Sequence, residues 1–293
     1  MRFSSISPAI RWNPEVVTVT RLERVEQPAG LARWLLEFVR FVKKTAVIAE
    51  LEARRLRHDP TELITRAVQP ALWLLVFGQV VGRTRAFDTG NLNYVAFMTP
   101  GILAQSVLFI SIFFGISVLW ERDLGIIHKF LVSPTPRTAL VLGKALSAGV
   151  RAVSQAVVVY ILALLSGVEM NWNPLALAGV LLAIITGAAF FSTFSLIIAC
   201  LVKTRERFMG IGQVMTMPMF FASNAIYPIS IMPLWLQIVS KINPLSYEVD
   251  ALRALMIKGG SSTFGLGLDF AVMLGWTVVL VLIGGKLYPN VVQ

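Results

Sequence analysis

Pro100-Gly-Ile-Leu-Ala-Gln-Ser-Val-Leu-Phe-Ile-Ser-Ile-Phe-Phe-Gly-Ile-Ser-Val-Leu-Trp120 is a run of membrane length. It breaks at once into Glu121-Arg-Asp-Leu-Gly-Ile-Ile-His-Lys-Phe-Leu-Val-Ser-Pro-Thr-Pro-Arg137. Apolar sequence resumes at Thr138 and runs on through Lys144. A run near 20 apolar residues is long enough to cross a ~30 Å hydrocarbon core as a helix. The charged interruption is far too short to be a domain, so it is a connector between two crossings. Its polar residues share the segment with Leu124, Ile127, Phe130 and Leu131, which recur at helical spacing. Pro134 and Pro136 end the element sharply.

Composition extends that reading to the whole chain. Of 293 residues, 56% are hydrophobic and 14% charged, and the mean hydropathy is +0.73. Soluble domains carry about 25% charged residues, so the expected class is an all-α, polytopic membrane protein. The net charge of +10 gathers at the flanks of the apolar runs, where it sets topology and attracts anionic headgroups; it does not argue for nucleic acid. Cys200 has no partner cysteine, and His58 and His128 lie far apart without nearby ligands. Neither a disulfide nor a metal site is expected.

Hydropathy predicts six spans, at about 63–81, 95–120, 139–166, 175–202, 208–226 and 268–287. Before them, residues 1–30 are polar and broken by Pro8, Pro14 and Pro28, without the apolar core of a signal peptide. Residues 31–58 carry one apolar stripe (Leu31, Trp34, Leu35, Phe38, Phe41, Val42) interleaved with basic residues. That pattern predicts an amphipathic helix lying in the headgroup plane, or packed on protein. The permease-like body then covers 59–293. Loop charges favour a start inside. Arg122, Lys129, Arg137, Lys203, Arg205, Arg207 and Lys286 fall on one side, and 167–173 on the other has no basic residue. Both termini are therefore expected in the cytoplasm. Between spans five and six, residues 227–267 are only moderately apolar. They predict two short helices, one after Pro233 and one capped by Asn243-Pro244 over about 248–258, that dip into the outer leaflet and return.

No enzyme constellation is visible. Gly143-Lys144 is followed by alanine and lacks the upstream glycine of a phosphate-cradling loop. Glu121/Asp123 and Glu248/Asp250 are explained by solvation and by a nearby Arg253. Within the spans, ionisable groups are scarce, Arg151 being the main exception. Ion-coupled carriers need intramembrane acids or histidines, so the energy for any transport must come from elsewhere. On residue physics alone, the Glu121–Arg137 element has two readings. It is a helix that seats in a groove of a soluble partner, or a plain connector on the membrane surface.

The run Glu121-Arg122-Asp123-Leu124-Gly125, then Leu131-Val132-Ser133-Pro134 and Leu142-Gly143-Lys144, resembles a motif of ATP-binding-cassette (ABC) type-2 exporter permeases. Pro100-Gly101, Tyr227-Pro228 and Asn243-Pro244-Leu245-Ser246-Tyr247 with Arg253 resemble further recurrent runs of that family. The resemblance covers about 51–293. It implies six spans, an interfacial helix before the first, a coupling helix between the second and third, and two re-entrant outer helices. It also implies a dimer of permeases in the bacterial inner membrane, with two separate ATPase subunits that hold the ATP and magnesium. Carried over residue by residue, the ATPase-coupling set is Glu121, Arg122, Asp123, Leu124, Gly125, Lys129, Phe130 and Pro134. The outer motif is Tyr227, Pro228, Asn243, Pro244, Tyr247 and Arg253. One departure is Ile126-Ile127-His128, where the family often has Thr, an apolar residue and Glu.

Spans two and five are expected to line the route between protomers. Phe109, Phe113 and Phe114 cluster on one, and Met215, Met217, Phe220 and Phe221 on the other, around Pro218. Met and Phe make polarizable, adaptable surfaces suited to apolar or amphipathic molecules. They are equally ordinary as packing. The function expected is ATP-driven export of a drug, lipid or lipid-linked glycan, as in daunorubicin-resistance-type and nodulation-factor-type exporters. Polysaccharide export is the second reading. A membrane interaction subunit that transports nothing is the reading from a different class.

Overall fold

The computed structural model describes residues 60–84, 87, 89–90, 92–125 and 137–287. The expected N-terminal tail and interfacial helix lie outside the described residues, as do positions 126–136 of the charged connector. Residues 45–293 form one compact unit, distinct from 1–44.

Every described element is helical. The chain enters through α1 (Pro60–Ala71), a π-helical turn (Leu72–Phe77) and α2 (Gly78–Thr84), which together make the predicted first span. Pro70 lies inside α1. Lacking an N–H, it leaves the Arg66 carbonyl without its intrahelical donor. The Gln155 side chain supplies the missing bond, Nε2 donating to the Arg66 oxygen at 3.2 Å. In hydrocarbon such a replacement is what makes a helix-breaking proline tolerable.

Then come α3 (Tyr94–Asp123), α4 (Arg137–Leu165), α5 (Pro174–Leu201), α6 (Arg205–Phe221), a 3-10 turn (Ile229–Ile231), α7 (Leu234–Ile242), α8 (Pro244–Met256) and α9 (Leu266–Leu287). Four of these are long and apolar enough to cross a membrane: α3, α4 over Ala148–Leu165, α5 and α9. The other two predicted spans are less regular. The first is interrupted by its π turn, and α6 is 17 residues long.

The second span begins at Tyr94, next to the expected 95, with Pro100 inside the helix. Two other boundaries differ from expectation. The fifth ends at Phe221, ahead of the turn that carries Ala225 and Ile226. The second outer helix starts at Pro244 and not near 248, because Asn243 caps it: its Oδ1 accepts from the Leu245 N–H at 3.1 Å. The same Asn-Pro device, Asn173-Pro174, starts α5.

The core is organised around α5, which packs against α3, α4, α8 and α9. Small residues let backbones approach, as membrane helices without a hydrophobic drive between them require. A β-carbon on Gly101 would come within 2.6 Å of Ala225, and one on Gly115 would overlap Ser195. Ser195 in turn donates its hydroxyl hydrogen bond across to the Ile112 carbonyl. The outward faces remain apolar, with Val157, Ile161, Leu182, Val278 and Leu282 all exposed. Soluble surfaces rarely present such continuous greasy faces; a bilayer covers them.

Candidate functional site

Three sites emerge, at the two ends of the bundle and between them. At the end that carries the charged connector, α3 terminates at Asp123 with Leu124 as its cap and Gly125 at φ +69°. That left-handed conformation suits glycine and stops the helix. The two charged residues before the stop turn back onto the chain. Asp123 pairs with Arg205 at the start of α6, and Arg205 also lies over the Trp120 ring, 3.7 Å from its centre. Arg122 donates to the carbonyls of Lys203 at 2.8 Å and Val202 at 3.4 Å. The root of the connector is thereby clipped to the α5–α6 turn, while Leu124 is 69% exposed beside it. Of the expected coupling residues, Glu121 to Gly125 are placed at this root. Lys129, Phe130 and Pro134 lie outside the described residues. Arg205 and Trp120 are members of the clip that sequence reading missed; only their nearness to helix ends hinted at it.

In the middle, a cleft of about 360 Å³ opens between α1, α3 and α4. Arg66 and Gln69 reach it from α1, Ser106, Phe109 and Phe113 from α3, and Arg151 and Gln155 from α4. Phe109 and Phe113 stack, with centroids 6.1 Å apart and planes 20° apart. The Arg151 guanidinium stands 5.3 Å from the centre of the Phe114 ring, within cation–π range. Both arginines keep further partners within the chain. Arg151 is the fourth residue of the apolar stretch Ala148–Leu165 of α4. Sequence had singled out Arg151 and the phenylalanines separately; it gave no sign that Arg66 joins them.

The two aromatic clusters expected to line one path do not share this cleft. Phe109, Phe113 and Phe114 line it. Phe220 is fully buried against Trp73, with ring centroids 5.6 Å apart. Met217 and Phe221 are exposed on α6, with Met215 half-buried there.

At the opposite end of the bundle, the recurrent motif is a capping system. The last four carbonyls of a helix have no intrahelical partner, and in α6 each finds one. Pro218 accepts from the Ala222 N–H (2.8 Å), Met219 from Asn243 Nδ2 (2.6 Å), Phe220 from the Ser223 hydroxyl (2.7 Å) and Phe221 from the Tyr227 hydroxyl. Tyr247 caps α7 in the same way, its hydroxyl donating to Lys241 O at 2.6 Å. Pro228 and Pro244 open the 3-10 turn and α8. Arg253 is 5% exposed. It lies over the Phe97 ring at 3.9 Å and donates to the carbonyls of Phe97 and Asn224. Asp250 beside it accepts from the N–H groups of Thr263 (2.6 Å) and Phe264 (2.9 Å). The motif thus ties α3, α6, α7 and α8 into one plug.

The class these features define is a polytopic helical transport subunit. Apolar helices surround a cleft with a partly polar lining, and the root of the charged connector is clipped at one end of the bundle. Over residues 44–257 the chain matches the family model described as ABC-2 type transporter, and it belongs to that family. It is similar to the daunorubicin resistance ABC transporter permease protein DrrB1 of Streptomyces coeruleorubidus, at 27% identity over 234 residues, covering 80% of this chain and 82% of that one. It is also similar to nodulation protein J of Rhizobium meliloti, at 28% over 204 residues and 69% and 74% coverage. A third relative is the inner membrane transport permease YadH of Escherichia coli, at 24% over 200 residues and 65% and 73% coverage. The chain is therefore a permease subunit of an ATP-driven ABC transporter, and ATP hydrolysis belongs to a separate chain.

Proposed function

We propose that the chain works as one of two permease copies which, with two cytoplasmic ATPase subunits, export an amphipathic or hydrophobic compound: a drug, a lipid or a lipid-linked glycan. ATP and magnesium sit on the ATPases. In this reading the chain crosses the bacterial inner membrane six times with both termini in the cytoplasm. The α1–π–α2 rod is the first crossing, and α6 with its following turn is the fifth. Helices α7 and α8, of 9 and 13 residues, span about 13 and 20 Å at 1.5 Å per residue. Both fall short of a ~30 Å core, which supports a pair that enters the outer leaflet and returns. Residues 31–58 rest on the cytoplasmic surface ahead of the first crossing.

The observation that carries this reading is the clipped root of the connector. A segment held rigidly at Arg122 and Asp123, and exposing Leu124 next to a glycine stop, transmits a push to α3, α5 and α6 together. Amphipathic cargo is supported by the aromatic lining at the middle of the bundle and by the export functions in the relatives' names. The test is co-purification of tagged, full-length protein with its ATPase in mild detergent, comparing wild type with Leu124→Asp. Reduced ATPase association with normal membrane insertion is expected. Unchanged association would leave the element as a plain connector.

A further inference from the structure

We propose that the Arg66–Arg151 cleft binds an amphiphile with an anionic head group, a phosphate, sulfate or carboxylate. The head group sits between the two guanidiniums, and the apolar part lies along Phe109 and Phe113. Guanidinium groups match such anions with paired N–H donors, and do so far more strongly in a low-dielectric site than in water. The cleft is large enough for a head group and the first part of a chain at about 360 Å³. It is also graded. Arg66, Arg151, Gln69 and Gln155 supply the polar part, and the stacked pair Phe109 and Phe113 the apolar part.

Arg66 and Arg151 line the same cleft, and Arg151 lies three residues into the apolar stretch Ala148–Leu165 of α4, near its start. Its position is fixed by more than its own helix. The Gln155 bond to the Arg66 carbonyl, made necessary by Pro70, locks α4 to α1 next to the two charges. The Gln155 side chain thus joins α4 to α1 beside the cleft, and the arrangement is built before any ligand arrives.

The inference refines the cargo class and rests on the exporter reading only in calling the bound molecule cargo. Binding and coupling are therefore measured separately. Full-length protein in a neutral detergent is titrated, by native mass spectrometry, with dodecyl phosphate, dodecyltrimethylammonium, dioleoylphosphatidylglycerol and inorganic phosphate. Dodecyl phosphate is expected to bind at least tenfold more tightly than the cationic amphiphile or inorganic phosphate. Arg66→Gln and Arg151→Gln each lower that affinity about tenfold, while Arg151→Lys keeps most of it and guards against a folding defect. A phosphatidylglycerol affinity that exceeds the dodecyl phosphate affinity identifies the source as bilayer lipid; the reverse identifies a single-chain cargo. Equal binding of the two amphiphiles of opposite charge, or affinities unmoved in both Gln variants, overturns the site. ATPase stimulation by the same probe in the assembled complex then tests the exporter reading alone, since binding without stimulation leaves the site intact.

Discussion

The carboxyl group of Glu248 on α8 lies directly against Gly187 at the middle of α5, so closely that a β-carbon on the glycine would overlap it. Both carboxyl oxygens are buried without a hydrogen-bond partner. An ionised carboxylate in such a place carries a large desolvation penalty, so the group sits there as the neutral acid.

Glu248→Gln keeps the shape and neutrality of the acid and should leave thermal stability within about 1 kcal/mol of wild type, whereas Glu248→Lys forces a charge into the same place and should destabilise far more. A loss on Glu248→Gln as large as on Glu248→Lys would contradict the neutral acid. Gly187→Ala should destabilise as well, because a β-carbon there would overlap the carboxyl group.

Pro70 and Gln155 should be coupled. Gln155→Leu removes the side-chain donor to the Arg66 carbonyl and should cost about 1 kcal/mol. Pro70→Ala restores the intrahelical donor and makes Gln155 dispensable. In a double-mutant cycle the second substitution should therefore rescue much of the first. Additive losses would mean that the 3.2 Å contact contributes nothing.

The clip at the connector's root predicts a separation of assembly from coupling. Arg205→Ala removes both the Asp123 pair and the stacking on Trp120. Exposed ion pairs contribute little to stability, so expression and insertion should be near normal. Cargo-stimulated ATP turnover should fall severalfold, because the connector's root is no longer fixed to α6. Loss of insertion along with turnover would make the clip a folding element.

The class of fold was legible in the sequence because it follows from length and apolarity, which α3, α5 and α9 carry without ambiguity. Asn243-Pro244 was legible as a cap, although the helix it starts begins at Pro244 and not near 248. What the sequence hid is rotation. α3 and α5 are apolar nearly all round, so no stripe tells which side of either faces α8. Nothing local therefore announces that Gly187 receives Glu248, or that Gly115 receives Ser195. The cleft is hidden more deeply. Arg66 and Arg151 line one cleft beside a bond from Gln155 to the Arg66 carbonyl, a link between side chain and backbone that no periodicity reports. The outer motif was recognised as a pattern, but its physical purpose as a set of caps for α6 and α7 needed the coordinates.

The most direct test of the account is ATP-dependent uptake of a fluorescent amphiphile with a phosphate head group into inverted membrane vesicles containing the permease and its ATPase. Wild type is compared with Gly125→Pro, which cannot adopt the φ of +69° at the connector's stop. Uptake is predicted to require ATP and both chains, and to be lost in the variant although both proteins remain in the membrane. Uptake that persists in Gly125→Pro, or that proceeds without the ATPase, would contradict a permease driven through this connector.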